Sequence, residues 1–99
     1  MSIVYLYSGV GRFTGANGYD WACPGIGTVH KFILFLSQEM ALSQQEQAEL
    51  EMARYGFGEL QIGEGKMIVV EALNSPGMQA FQKYYEGALS EGSSVVWYP

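Results

Sequence analysis

The pattern of apolar and polar residues predicts strands near the start and in the first half of the chain. Residues 2–8 are rich in β-branched and aromatic types and predict a strand that ends at Gly9. Residues 28–37 contain the unbroken run Phe-Ile-Leu-Phe-Leu, which fits either a strand buried on both faces or one face of a helix. We predict a strand because a turn signal follows soon afterwards, at Ser43.

Three further strands are predicted in the second half. Residues 59–62 alternate polar and apolar types, and residues 66–73 are almost continuously apolar. Because Gly-Glu-Gly at 63–65 lies between them, we expect these two strands to form a β-hairpin. Residues 94–98, Ser-Val-Val-Trp-Tyr, predict the last strand.

Two helices are predicted between the strands. The Ser-Gln-Gln-Glu sequence at residues 43–46 has the pattern of a capping box, and residues 47–55 are good helix formers. In the second helix Ser75 is the expected cap, Pro76 suits the first helical position, and residues 78–89 carry apolar side chains at helical spacing. A glycine follows each helix and is expected to end it.

From residue 28 to residue 98 the predicted order is βαββαβ. This order is that of a ferredoxin-like α+β sandwich, in which two helices pack on one face of a four-stranded sheet. The strand at residues 2–8 would add to the sheet or form a separate hairpin with the glycine-rich segment that follows it. At 99 residues, the chain is expected to form a single domain over 1–99.

The glycine-rich segment, residues 9–27, is the first candidate site. It contains six glycines and an Asn-Gly pair, and it fits either one long loop or a short hairpin in which residues 12–14 face 19–21. Glycines let backbone amides approach a ligand, and Arg12, Asp20 and Trp21 are the candidate ligand-binding side chains. The spacing matches neither a P-loop nor a dinucleotide fingerprint.

Catalytic candidates are few. Cys23 and His30 could form a nucleophile and base, although a lone cysteine is more often a small buried apolar group. Glu71 lies inside an apolar strand, where burial would raise its pKa, but we favour a salt bridge to Lys31 or Lys66, or a sheet face open to water, as the explanation. One cysteine and one histidine fall short of a structural zinc site, so we predict neither a metal nor a cofactor.

Aromatic side chains suggest an interface. Tyrosine and tryptophan bury large areas while keeping a polar group, and we name Tyr5, Tyr7, Trp97 and Tyr98 as candidate interface residues. The net charge is −5, with five scattered bases, which disfavours nucleic acid and anionic membranes and suits a basic protein partner.

These features favour a small acidic, non-enzymatic protein-interaction module of the inhibitor, immunity or adaptor type, or a self-associating subunit. The alternative is a small-molecule or catalytic site that the glycine-rich segment forms over the sheet. A single cysteine, no recognisable signal peptide and no long apolar run predict a cytoplasmic protein that does not enter a membrane.

Overall fold

The protein is an α+β fold with a five-stranded antiparallel sheet and two helices. A computed structural model describes residues 3–15, 18–19, 21, 23–68 and 79–99. In chain order the elements are β1 (Ile3–Phe13), β2 (Val29–Gln38), α1 (Gln45–Arg54), β3 (Phe57–Ile62), β4 (Lys66–Met67), a 3-10 turn (Gln79–Phe81), α2 (Gln82–Glu91) and β5 (Ser93–Tyr98).

The strands lie in the order β3-β1-β2-β5, and β4 also pairs with β1. The strand predicted at residues 28–37 is confirmed as β2, and the strand predicted at 94–98 is confirmed as β5. The ferredoxin-like order is not confirmed, because β1 lies beside β2 at the centre of the sheet. The described part of the predicted 2–8 strand, from Ile3 onward, thus belongs to the main sheet and lies at its centre.

The prediction that Gly9 ends the first strand is wrong. β1 continues through Gly9 to Phe13 and pairs with neighbours on both sides. A Cβ atom on Gly9 would lie 2.5 Å from the carbonyl oxygen of Gln61, so only glycine permits this close approach of β3. Phe13 bonds to Thr28 on one side and pairs with Phe57 on the other, so it cannot take part in the hairpin alternative, in which residues 12–14 face 19–21.

The hairpin predicted from residues 59–62 and 66–73 is also wrong. β3 and β4 follow one another along the same side of β1, with Ile62 opposite Gly9 and Lys66 opposite Leu6. Residues 63–65 therefore interrupt one edge strand instead of reversing the chain. Of the predicted second strand, residues 69–73 lie outside the described residues.

The two helices pack on opposite faces of the sheet, which corrects the predicted arrangement on one face. Side chains alternate along each strand, so neighbouring residues contribute to different cores. The core on the α1 face includes Tyr5, Tyr7, Phe32, Leu34 and Met52, and the core on the α2 face includes Val4, Leu6, Ile33, Phe35 and Ala88.

The capping box predicted at residues 43–46 does not form. Gln44 is the N-cap of α1 and makes no side-chain cap bond. The Ser43 hydroxyl instead accepts a hydrogen bond from the Gly65 amide at 2.8 Å, and the Gln44 amide donates to the Tyr7 hydroxyl at 2.8 Å. Long-range bonds therefore replace the local ones at this helix start.

Both predicted helix ends are confirmed. Gly56 follows α1 with φ 101°, and Gly92 follows α2 with φ 97°, a backbone region that favours glycine. The predicted start of the second helix at Asn74, Ser75 and Pro76 lies outside the described residues. Neither described helix has the length and apolar character needed to span a bilayer.

Candidate functional site

A cleft of about 440 Å³ lies at one side of β5 and is the candidate site. Its walls come from the glycine-rich segment, the end of α1, α2 and β5. Gly92 positions one wall, because its positive φ turns the chain from α2 directly into β5. The lining side chains are mainly aromatic or hydroxyl-bearing: Tyr19, Trp21, Tyr55, Tyr84, Glu91, Ser93, Ser94 and Val95.

Aromatic packing holds the glycine-rich segment against α1. The ring centroids of Trp21 and Tyr55 are 5.1 Å apart at 77°, and those of Tyr19 and Tyr55 are 4.7 Å apart. The Trp21 indole also donates a hydrogen bond to the Tyr55 carbonyl at 3.1 Å. Edge-to-face contacts of this kind are favourable beyond their buried area. The cleft wall is therefore fixed by specific contacts although it includes a connecting segment.

Hydrogen bonds also join the glycine-rich segment, α1 and β5 to one another. The Glu51 carboxylate accepts bonds from the hydroxyls of Tyr19, at 2.9 Å, and Ser93, while Arg54 lies 3.6 Å away. The hydroxyls of Tyr55 and Ser93 are 2.9 Å apart. Because Ser93 is only 4% exposed and bonded inside the fold, this cluster positions the loop and strand and does not offer Ser93 to a substrate.

Burial raises the pKa of Tyr55 above its ordinary value. The hydrogen bond with Ser93 acts in the opposite direction, and the nearby Glu51 charge raises the pKa further. The hydrogen bond with Tyr19 raises the pKa of Arg54, with the Tyr19 and Glu51 charges acting in the same sense. Tyr55 therefore stays a neutral hydroxyl, and Arg54 a cation, across the physiological range.

β5 is a regular edge strand. It pairs with β2 from Leu36 opposite Ser93 to Lys31 opposite Tyr98 without any shift of register. No described strand pairs with its other side. β5 also contains no charged residue. The first half of this edge is nevertheless covered, because Ser93 and Val95 are only 4% and 9% exposed.

The opposite edge of the sheet is irregular and charged. The register between β1 and β3 shifts next to Glu59, which has a positive φ of 49°. Glu59, Glu64 and Lys66 place charges along this edge, and residues 63–65 interrupt it. Bulges and charges discourage edge pairing. The two edges of the sheet are therefore suited to different roles.

Backbone groups of β5 point alternately toward β2 and away from it. The Gly92 carbonyl accepts a hydrogen bond from the Ser37 amide at 2.9 Å, so it faces β2. In an antiparallel ladder, alternate residues share this direction. The amide and carbonyl groups of Ser93 and Val95 therefore point away from β2, and neighbouring groups cover them, because the two residues are 4% and 9% exposed.

Of the predicted ligand-binding residues, only Trp21 lines the cleft. The Arg12 guanidinium bonds to the Glu59 carboxylate at 2.6 Å and to the Gly27 carbonyl at 2.7 Å. Even-numbered residues of β1 face the α2 side, whereas Trp21 packs against Phe13 on the α1 side, so the sheet separates Arg12 from Trp21. Asp20 lies outside the described residues.

Cys23 and His30 do not form a hydrogen-bonded pair. Cys23 is exposed. The two ring nitrogens of His30 bond to the Thr28 hydroxyl at 2.7 Å and the Tyr98 carbonyl at 2.8 Å. The His30 ring also packs 4.7 Å from that of Trp97. Both nitrogens thus have structural partners.

The third catalytic candidate, Glu71, lies outside the described residues. Among the residues that the structure describes, no three histidine, cysteine, aspartate or glutamate side chains group together as metal ligands do.

The predicted interface residues divide into two pairs. Tyr5 and Tyr7 are 7% and 0% exposed and form part of the core, because odd-numbered residues of β1 face α1. A partner cannot contact them without unfolding the sheet. Trp97 is partly buried, and Tyr98 is 41% exposed at the end of β5. Only this second pair lies where a partner could bind.

Sequence reasoning missed most of the cleft. Tyr19, Tyr55 and Ser93 were not predicted as site residues. Their hydrogen bonds join positions 32 to 42 residues apart, and such pairings leave no local spacing pattern. The one available signal was the turn glycine before Ser93, which indicates that α2 leads directly into the last strand.

Comparison with known proteins provides no family for this chain. No protein-family model matches it, and neither a curated protein nor a solved structure shows significant similarity. The geometry of the cleft and of the β5 edge therefore carries the functional argument.

Proposed function

We propose that this chain is a protein-interaction module that binds its partner at the cleft and the adjacent edge of β5. The observation that supports this best is the combination of a regular, uncharged edge strand with a cleft of about 440 Å³ that is rich in aromatic side chains. Aromatic residues are enriched in the buried centres of protein interfaces. An inhibitor, immunity or adaptor role fits such a module.

The charge of the chain favours a basic partner. Ten acids and five bases give a net charge of −5, and Glu91 lies on the rim of the cleft. A field of this sign attracts basic proteins and repels nucleic acid. One cysteine in 99 residues is compatible with a reducing compartment, and we place the module in the cytoplasm on that basis.

Peptide selection tests this proposal. The full chain would be used to select binders from a random peptide display library, and their affinities would be measured against two charge-reversal variants. Glu91→Lys changes the cleft rim, whereas Glu86→Lys makes the same change on another surface of α2. We expect Glu91→Lys to weaken the selected peptides several-fold and Glu86→Lys to leave them nearly unchanged. Equal effects of the two variants, or no enriched peptides, would contradict the proposal.

A small-molecule site is the second candidate function. The cleft supports it, because Tyr19 and Trp21 both come from the glycine-rich segment that was predicted to cover a ligand. A ligand-observed NMR screen of phosphates, nucleotides and metabolites would discriminate between the two. A low-molecular-weight ligand that loses binding in Glu91→Lys and displaces the selected peptides would favour this second function.

A further inference from the structure

We infer that the cleft binds an arginine side chain of the partner, with the guanidinium group beside Glu91 and the aromatic rings. This inference rests on the proposed function and specifies what enters the site. Among the described residues that line the cleft, Glu91 alone carries a charge at neutral pH. No lysine or arginine in the described part of the chain forms a salt bridge with it. The cleft therefore presents a negative charge that a cation of the partner can neutralise.

The position of Glu91 in the helix favours a bound cation. Glu91 is the last residue of α2, and the last turn of this helix contains no basic residue. The C-terminal end of a helix carries partial negative charge, which attracts cations and repels acids. The Glu91 charge also acts inside the cleft, since it adds to the effect of burial in raising the pKa of Tyr55. A cation at this end of the cleft would be attracted both by the carboxylate and by the helix.

Three hydroxyl groups around the cleft already donate their hydrogens inside the fold. Tyr19 and Ser93 donate to the Glu51 carboxylate, Tyr19 at 2.9 Å. The hydroxyls of Tyr55 and Ser93 are 2.9 Å apart. Because the Ser93 hydrogen points to Glu51, Tyr55 must be the donor in this second bond. None of the three has a hydrogen left to donate to a ligand.

Two further polar side chains of the lining are used in the same way. The Ser94 hydroxyl donates to the Tyr84 carbonyl, and the Trp21 indole donates to the Tyr55 carbonyl at 3.1 Å. The ionised Glu91 carboxylate can only accept hydrogen bonds. The cleft is therefore suited to a ligand that donates hydrogen bonds, and it is poorly suited to an anion or to a group that only accepts them.

Aromatic rings favour guanidinium among the cations. Trp21 and Tyr84 are partly buried and line the cleft. A cation is attracted to an aromatic ring, as the Lys83 ammonium shows, 5.0 Å from the centre of the Tyr84 ring. Guanidinium is flat, weakly hydrated and has five N–H donors, so it can stack on a ring and bond to a carboxylate at the same time. An ammonium group is compact and strongly hydrated, so we expect arginine to bind more tightly than lysine.

An arginine within a protein segment fits the cleft better than the free amino acid. The cleft, of about 440 Å³, lies in the lower part of the range of about 300–1,000 Å³ that is typical of small-molecule sites, so it accommodates a side chain but not a folded element. Free arginine also carries a carboxylate, which Glu91 and the end of α2 would repel. In a protein segment this carboxylate is replaced by a neutral amide.

A set of matched peptides tests the inference directly. The probe is the peptide acetyl-Gly-Gly-Arg-Gly-Gly-amide, titrated into the ¹⁵N-labelled full chain. In two derivatives, citrulline, which keeps the shape of arginine without its charge, or lysine replaces the arginine. We expect the arginine peptide to bind about tenfold more tightly than the citrulline peptide and several-fold more tightly than the lysine peptide or free arginine. The indole N–H signal of Trp21 should shift, whereas that of Trp97 should not.

A matched pair of protein variants provides an independent measurement. Glu91→Gln removes the charge at the cleft, and Glu86→Gln removes the same charge from another exposed position of α2. We expect Glu91→Gln to weaken the arginine peptide about fivefold and Glu86→Gln to leave its affinity nearly unchanged. Because an acid is unfavourable at the end of a helix, Glu91→Gln should not lower Tm, and the loss of binding can then be separated from a loss of stability.

Three outcomes would overturn the inference. The first is equal binding of the arginine and citrulline peptides, or binding of neither. The second is an equal effect of Glu91→Gln and Glu86→Gln on the arginine peptide. The third is free arginine that binds as tightly as the peptide, because the site would then take a small molecule and not a side chain of a partner. Peptides from the display library that respond to Glu91→Lys but contain no arginine would preserve the proposed function and exclude only the arginine.

Discussion

Tyr7 connects the centre of the sheet to the start of α1, and its hydroxyl is the most informative single group to remove. The side chain is fully buried. Its hydroxyl donates to the Gln38 side-chain oxygen at 2.9 Å and accepts from the Gln44 amide at 2.8 Å. Gln38 in turn donates to the carbonyls of Met40 and Leu42, both at 2.7 Å. Tyr7 therefore links the end of β2 to the start of α1.

The expected cost of Tyr7→Phe follows from these bonds. The substitution keeps the ring but leaves the Gln38 oxygen and the Gln44 amide without their partner in a largely buried place. An unsatisfied buried group costs about 1–3 kcal/mol, and since the bond to Gln44 is only partly buried, we expect a total loss of about 2–4 kcal/mol from the two groups. A domain of this size is stable by about 5–15 kcal/mol, and the loss should lower Tm by roughly 10–25 °C.

Urea unfolding monitored by circular dichroism measures this effect. Tyr98→Phe is the matched control, because it removes the same hydroxyl from a residue that is 41% exposed, and we expect it to change stability by less than about 0.5 kcal/mol. The dependence of unfolding free energy on urea should be unchanged in both variants. A loss below about 1 kcal/mol for Tyr7→Phe, or one equal to the control, would refute the reasoning.

Three other predictions concern stability. Gly65→Ala should destabilise the protein by about 1–3 kcal/mol, because the new Cβ would lie 2.6 Å from Cζ of Tyr7, whereas Gly25→Ala meets no close contact and should be nearly neutral in the same urea assay. Burial raises the pKa of Tyr55 above its ordinary value of 10.0, so the stability that its neutral hydroxyl contributes is complete below pH 10 and falls as the pH rises further. Tyr55→Phe should therefore flatten the decline of the urea midpoint between about pH 9 and pH 11. An unchanged slope would contradict that assignment. Glu59 has a φ of 49°, so Glu59→Gly should change stability by less than about 0.5 kcal/mol, and Glu59→Val should cost at least about 1 kcal/mol more. Equal melting temperatures of the two variants would exclude backbone strain at this position.

Local patterns predicted the elements of this fold well. β2 and β5 follow from their runs of apolar and aromatic residues, and both helix ends follow from Gly56 and Gly92. These features depend on interactions between residues a few positions apart, and the sequence displays such spacings directly.

The pairing of the strands could not be predicted in the same way. Gly9 resembles a strand breaker, but the missing Cβ instead lets Gln61 approach, and this contact joins residues 52 positions apart. A hairpin was predicted from residues 59–62 and 66–73 because sequential strands usually pair, but β3 and β4 both pair with β1. Because β1 lies between β3 and β2, the ferredoxin-like order predicted from residues 28–98 is not confirmed.

The candidate site was predictable only in part. Trp21 was named from its place in the glycine-rich segment, and it does line the cleft. Arg12 comes from the same segment but lies on the other face of the sheet, paired with Glu59. Tyr5 and Tyr7 were named for their residue type, although strand alternation alone directs them to a core face. Composition therefore identified the right kinds of residues but not the surface they occupy.

The two edges of the sheet differ in ways that bear on the binding proposed at β5. An open, regular and uncharged edge exposes a protein to unwanted pairing and aggregation. The chain carries the features that prevent such pairing, but they lie on the β3 and β4 edge, as the charges of Glu59, Glu64 and Lys66 and the shifted register. A single lysine placed within β5 would discourage pairing in the same way, but such a charge would also stand beside the aromatic cleft that β5 lines. Ser93 and Val95 need no such charge, since they are 4% and 9% exposed, and the uncharged sequence of β5 is compatible with binding at the adjoining cleft.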